Sequence, residues 1–231
     1  PRETELKLID TLNTRNLFLS ILEHDVITPL GGIIGLSECL LMEDSDLPAE
    51  GRRDIQMIHD ASKQLSSLIS NLLSWTRSQN GQVKCRPTPF KLHEAVTEIQ
   101  QLFAEVAKTK SISLDCEITT SIELNTDRDM LTTILRNLTS NAVKFTNENG
   151  RVTIHAHMSG GEVFVSVKDN GVGIPEDQIE SIFSEHKEHR RRGTKDEKGT
   201  GLGLLLCLEF VKLLGGDITV KSIENEGTDF C

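Results

Sequence analysis

Asp169-Asn170-Gly171-Val172-Gly173-Ile174 closes the alternating run Glu162 to Lys168, which reads as a β-strand. A carboxylate at the end of a strand can accept a hydrogen bond from an exocyclic amine such as that of adenine. Glycines beside it let the backbone pass close to a flat ring. Alone, the same six residues are an ordinary Asn-Gly turn. What flanks them decides between the two.

Upstream, Asp127 to Phe145 has helical spacing, with an apolar stripe of Leu131, Ile134, Leu138, Ala142 and Phe145. Asn137, Asn141 and Lys144 recur at gaps of four and three, so they share a different face. An asparagine amide oxygen is a neutral ligand, suited to Mg²⁺ that already carries phosphate charge. A lysine offers phosphate a cation. By itself the trio would be a solvated polar face. Downstream, Gly199-Thr200-Gly201-Leu202-Gly203-Leu204 opens an apolar helix running to Leu214, and backbone amides at a helix start cradle phosphate. A dinucleotide-binding reading fails here. The preceding stretch, Ser184 to Lys198, is polar and rich in Lys and Arg rather than a strand, and the glycine spacing differs.

The rest of this half alternates. Lys91 to Lys108 reads as a helix. Ser111 to Glu117, Ser121 to Asn125, Arg151 to His157 and Asp217 to Ser222 read as strands, with a Gly160-Gly161 turn before Glu162. This predicts an α+β fold with helices on one face of a mixed sheet. His155 and His157 share a strand face, but no third ligand stands at metal-binding spacing.

The first 81 residues differ. Leu12, Leu19, Leu22, Val26, Leu30, Ile33, Leu36 and Leu40 form one helical stripe. Ile55, Ile58, Leu65, Leu68, Leu72 and Trp75 form a second. Glu43 to Pro48 is the turn between them, and Asn80-Gly81 is a helix stop. An antiparallel hairpin of two such helices leaves apolar surface open, which a dimer would close as a four-helix bundle. Residues 82–90, with Pro87 and Pro89, read as a linker or a first edge strand.

Across its 231 residues the chain carries 25 Lys+Arg and 35 Asp+Glu, a formal charge of −10. That disfavours nonspecific nucleic-acid binding. Aromatics are 4%, with no Tyr and one Trp, so base-stacking platforms are disfavoured too. Five scattered cysteines without a CxxC pair suit a reducing compartment. No apolar run is long enough to span a bilayer. The sequence begins at Pro1 rather than Met, so a fragment of a longer protein is expected, with any membrane span in the missing part.

Taken in order, the three clusters resemble the N, G1 and G2 boxes of the Bergerat-fold ATPases. Ile182-Phe183 resembles the start of the F box, and Glu226-Gly227-Thr228 the closing Gly-Thr segment. In the hairpin, His24-Asp25-Val26-Ile27-Thr28-Pro29-Leu30 resembles the H box of sensor histidine kinases. The sequence departs from the family in having Ile27 where a basic residue is usual, Asp25 where Glu is commoner and His186 where a second Phe is frequent.

The resemblance implies a dimerisation and histidine-phosphotransfer domain at 1–81, a linker at 82–90, and an ATP-binding α/β sandwich at 91–231. It implies ATP and Mg²⁺ at Asn137, Asn141, Lys144, Asp169, Gly171, Gly173, Gly199, Gly201, Leu202, Gly203 and Thr228, with Asn141 as the metal ligand. Ser184 to Lys198 would be the lid over the nucleotide, its cations meeting the triphosphate. His24 would be the phosphoacceptor, with Asp25 orienting the ring and accepting its proton. Pro29 would kink the helix beside it. Thr28 would position water for dephosphorylating a response regulator, unless it merely bonds the backbone at the kink. The expected protein is a homodimer, cytoplasmic in this portion, that passes phosphate to a receiver-domain aspartate. The alternative is a dimeric ATP-binding scaffold that has lost transfer.

Overall fold

The computed structural model describes residues 26–42, 48–79, 83–118, 122–183, 193–195, 197 and 202–231. His24, Asp25, Gly199 and Gly201 lie outside the described residues, as do the kink expected beside His24 and the basic stretch 184–192. The chain divides into two compact units between Thr76 and Arg77.

The first unit contains α1 (26–42) and α2 (Ala49–Gln79). Two contacts fix them as antiparallel. Arg52 donates to the Leu41 carbonyl at 3.0 Å, and Ser37 Oγ meets His59 Nδ1 at 3.0 Å. Ser37 also donates to the Ile33 carbonyl at 2.7 Å. Its one proton is therefore used on the backbone, and His59 Nδ1–H is the donor in the buried pair. Around it, Leu30 and Leu73 are buried alongside Ser62, Asn71 and Thr76. Ile33, Leu36 and Leu40 of the first stripe stay exposed, as do Ile58, Leu65 and Leu72 of the second. Thr28 is exposed on α1.

The second unit contains β1 (Thr88–Lys91), α3 (Leu92–Thr109), β2 (Ser113–Ile118), β3 (Glu123–Thr126), α4 (Arg128–Phe145), β4 (Arg151–Ser159), β5 (Glu162–Asp169), α5 (Glu176–Ile179), α6 (Gly203–Leu213), β6 (Val220–Ile223) and β7 (Gly227–Phe230). β1 pairs antiparallel with β3, so the stretch 82–90 carries most of a strand. The main sheet has the order β2-β4-β5-β7-β6, with β2 parallel to β4 and every other pair antiparallel.

Alternation along β4 sends Val152, Ile154 and Ala156 into the core, each at most 1% exposed, and Thr153, His155 and His157 to the other face. α3 packs through Leu92, Ala95, Val96 and Ile99, the i, i+3, i+4, i+7 positions of one helical face. Leu92, Val96 and Ile99, fully buried, contribute about 1.5–3 kcal/mol each, and the Ala95 methyl about 0.8 kcal/mol. α4 differs from its predicted stripe. Its buried residues are Met130, Ile134, Leu135, Leu138, Thr139, Ala142 and Val143, while Leu131 and Phe145 are half-exposed. The helix packs against α3, α6 and the sheet at once, so its apolar face is wider and rotated. Asp127 caps it, accepting from the Met130 amide at 3.0 Å through Oδ1. Through Oδ2 it also accepts from the Arg86 amide at 2.9 Å.

Candidate functional site

Asp169 ends β5 on the core-facing side of the sheet, opposite Val152 on β4 and Thr228 on β7. It is 7% exposed. The Gly171 amide donates to its Oδ1 at 2.9 Å and the Thr228 amide at 3.3 Å. Burial pushes this carboxyl up to about 6, and Asp229 nearby adds to the rise; the two amide bonds oppose it but do not cancel it. A carboxylate so starved of water gains most from a donor that a ligand would bring.

The glycines beside it are dictated by close approach. A Cβ on Gly171 would collide with the Phe145 carbonyl at the end of α4, and Val172 N donates to that carbonyl at 3.0 Å. Gly173 has φ +64°, and a Cβ there would strike the Ile223 carbonyl. Asn170 does not face a ligand: its Oδ1 accepts from the Arg151 amide at 2.6 Å and holds the turn to β4.

Ser222, which the sequence pattern does not single out, ties the far wall together. Its hydroxyl donates to the Gly227 carbonyl at 2.8 Å and accepts from Ile174 N at 2.8 Å. It also meets Thr228 Oγ1 at 2.9 Å. Since Ser222 uses its proton on Gly227, the Thr228 hydroxyl is the donor in that pair.

α4 supplies Asn137, Asn141 and Lys144, all half-buried. Asn137 Nδ2 donates to the Thr133 carbonyl at 3.0 Å, and its Oδ1 lies 3.1 Å from where a Cβ on Gly203 would stand. α6 therefore begins against Asn137, with Leu202 just before it. Lys144 Nζ lies 4.7 Å from the Phe145 ring centre. Burial lowers its pKa first; Glu197 pulls it back up, and Lys110 pushes it down again. Phe183 meets Phe230 edge-on with ring centres 6.3 Å apart. Lys195, one of the cations of the expected lid, pairs with Glu148 at 2.9 Å.

The structure thus brings Asp169, Gly171, Gly173 and Thr228 to one end of α4, and Gly203 with Leu202 against Asn137. Asn141 and Lys144 lie on the helix between and beside them. The donors on α4 are two neutral amides and a cation, with no carboxylate, a set that fits a metal arriving already bound to phosphate rather than a free cation.

Residues 126–231 match the family model described as histidine kinase-, DNA gyrase B-, and HSP90-like ATPase. Residues 14–81 match the His Kinase A (phospho-acceptor) domain. The uncharacterized sensor-like histidine kinase R01002 of Rhizobium meliloti is 31% identical over 219 residues, covering 94% of this chain and 42% of that protein. The aerobic respiration control sensor protein ArcB of Escherichia coli is 33% identical over 220 residues, covering 94% of this chain and 28% of its own length. The crystal structure of full-length ShkA in complex with AMPPNP aligns with a TM-score of 0.71 at 28% identity, covering 92% of this chain and 44% of that one. The chain spans less than half the length of these relatives. With a phospho-acceptor helical hairpin followed by an ATPase sheet in their shared order, it belongs to the sensor histidine kinases, as a transmitter segment.

Proposed function

We propose that this chain binds ATP in the second unit, phosphorylates His24 in the first, and passes the phosphoryl group to a response-regulator aspartate. The observation that carries the reading is Asp169: a desolvated carboxylate on the core face, gripped on one oxygen by Gly171 and Thr228, beside glycines that pack on the Phe145 and Ile223 carbonyls. Adenine would donate its exocyclic amine to this carboxylate, and the amides before α6 would meet the phosphates. Lys144 would face the phosphate charge, and a ligand phosphate would relieve its desolvation. Mg²⁺ on the Asn141 amide oxygen would supply charge neutralisation at the phosphates when bound.

In the transfer step, a lone pair of the His24 imidazole attacks the γ-phosphorus. The P–N bond forms as the bond to the β,γ-bridging oxygen breaks, ADP leaves with that electron pair, and Asp25 takes the ring proton. The domain limits we propose are 1–81, 82–90 and 91–231. The exposed apolar residues of the hairpin support a homodimer, in which a second copy covers Leu36, Ile58 and Leu65. Thr28, four residues after His24 in the sequence and exposed on α1, would hold the water that strips phosphate from the regulator.

Incubation with γ-labelled ATP tests the reading. We expect acid-labile, base-stable label on the parent and none on His24→Ala. Nucleotide binding without any label would favour the scaffold alternative, and free phosphate alone would favour an ordinary ATPase. For Thr28, Thr28→Ala should label normally yet fail to dephosphorylate a pre-phosphorylated regulator; undiminished phosphatase activity would remove that role.

A further inference from the structure

Lys110 is the one buried lysine among the described residues, 3% exposed, and neither the nucleotide nor the phosphoacceptor reading uses it. It stands just past the end of α3. Its Nζ donates to the Val143 carbonyl at 3.0 Å, the Lys144 carbonyl at 3.1 Å and Thr194 Oγ1 at 2.8 Å. It also pairs with Glu197 Oε1 at 2.7 Å. The two carbonyls belong to the last turn of α4, where helix geometry leaves acceptors short of partners and the dipole favours a cation.

The residues Lys110 reaches bind the same place from the other side. Thr194 N donates to the Lys144 carbonyl at 3.0 Å, and Thr194 Oγ1 lies 2.9 Å from the Thr146 carbonyl. Gly193 N donates to the Glu197 carbonyl at 2.9 Å, and Lys195 N to Glu197 Oε2 at 2.7 Å. Gly193 lies so close that a Cβ there would collide with Glu197 and with the Lys144 side chain. Three chain segments thus converge on the Lys144 backbone, with an ion pair at the centre that is buried at Lys110 and half-exposed at Glu197. Leu202 stands five residues beyond Glu197 in the sequence, followed by Gly203, which abuts Asn137.

We propose that Lys110 and Glu197 are positioning residues for phosphate recognition: their clasp holds the Lys144 backbone in place and sets where the chain leaves toward Gly203. The inference rests on the nucleotide reading of Asn137, Lys144 and Asp169. The ion pair suits such a role. A pair open to solvent at one end adds little net stability, but the bonds of the buried Lys110 ammonium to two carbonyls, a hydroxyl and Glu197 hold one geometry. It also keeps Glu197, the acidic group acting on Lys144, committed to a partner other than the Lys144 ammonium. Asp169 itself bonds no residue of the clasp; its carboxylate takes its hydrogen bonds from the Gly171 and Thr228 amides.

The test is binding of ATP and of adenosine, which lacks phosphates, to the full 231-residue chain. Lys110→Met should weaken ATP roughly tenfold, the loss typical of one charged hydrogen bond, and leave adenosine unchanged. In autophosphorylation KM for ATP should rise by a similar factor with kcat little altered. Glu197→Gln, at the more exposed end, should move the same way by a smaller factor. It serves as the reading if Lys110→Met does not fold. The double variant should lose no more than Lys110→Met, because the two act as one unit. Unchanged ATP binding in both single variants, a parallel loss of adenosine, or losses that multiply would overturn the clasp. A parent chain that binds neither ATP nor adenosine would overturn the nucleotide reading itself, a result the variants could not produce.

Discussion

In the hairpin, the described interior sets Leu30 and Leu73 among Ser37, His59, Ser62, Asn71 and Thr76. In the second unit, Leu92, Ile99, Ile122, Leu135, Ile154 and Leu206 are wholly enclosed. Among the described residues, the hairpin turns many of its larger apolar side chains outward; the sheet-and-helix unit turns most of its own inward and holds the desolvated Asp169 carboxylate on the core face. One unit leaves apolar surface open among its described residues; the other encloses its own and desolvates a carboxylate at the end of a strand. Stability and binding should therefore respond to different changes in the two units.

The largest effect expected is at Asp169. Asp169→Asn should weaken adenosine about 100-fold, because an amide can present a donor where an acceptor is required. The apo protein should melt no lower than the parent, since the substitution removes a charge the fold desolvates. Calorimetric titration and thermal denaturation check both halves; a variant that loses stability in step with affinity would make Asp169 a structural residue.

Next comes the hairpin. Leu36 is 71% exposed within one chain, so Leu36→Lys should cost a lone hairpin no more than about 0.5 kcal/mol. Across a two-fold axis it places two lysines where two leucines were buried and should weaken dimerisation roughly 10- to 100-fold. Sedimentation velocity reads this, with adenosine binding as the control that should not move. A variant as dimeric as the parent would take Leu36 out of the interface.

A third difference is in pH. The Asp169 carboxyl titrates at about 6 rather than 3.8. Between those values the folded state holds a proton that the unfolded chain has lost, so this group's contribution to stability falls as pH rises toward 6. At pH 7 the cost is on the order of 3 kcal/mol. Affinity runs the other way, because the ionised form accepts the amine. Adenosine should bind about tenfold more weakly at pH 5 than at pH 7. A flat profile in the parent would remove the carboxylate from recognition, and Asp169→Asn should give that flat profile.

The smallest effect is at Asp127, which caps α4 and holds Arg86. Asp127→Ala should lower the urea-unfolding free energy of the second unit by about 1–2 kcal/mol. Hairpin dimerisation should be unaffected. An equal loss in both units would mean that they unfold together.

Most of the architecture was legible because local patterns carried it. The strand alternation around Gly160-Gly161, the helical spacing of α3 and α4 and the glycine clusters all have short-range signatures. The apolar face of α4 was misplaced because a helix packed by α3, α6 and a sheet at once buries more than one stripe. The clusters at Asn137, Asp169 and Gly203 were legible as types. Ser222 was not, because a serine in a strand becomes a brace only when Ile174 and Thr228 arrive from elsewhere. Lys110 was least legible of all. It lies just past the predicted Lys91 to Lys108 helix with no pattern to mark it, and only Thr194 and Glu197, more than eighty residues on, supply its side-chain partners.

The Gly160-Gly161 turn has a consequence for how mutations can act at a distance. Both residues have positive φ, +62° and +87°, as the tight two-residue hairpin turn requires. The turn sets the pairing of the longest strands from Ser159↔Glu162 to Val152↔Asp169 at the far end. Side chains alternate faces at every residue, so a slip of one position rotates Asp169 from the core face to the opposite one. An insertion at this turn would move the Asp169 carboxylate off the core face from about 24 Å away while leaving the residues around it unchanged in sequence. The face that Asp169 presents is, in that sense, counted out along a strand from a pair of glycines that never meet it.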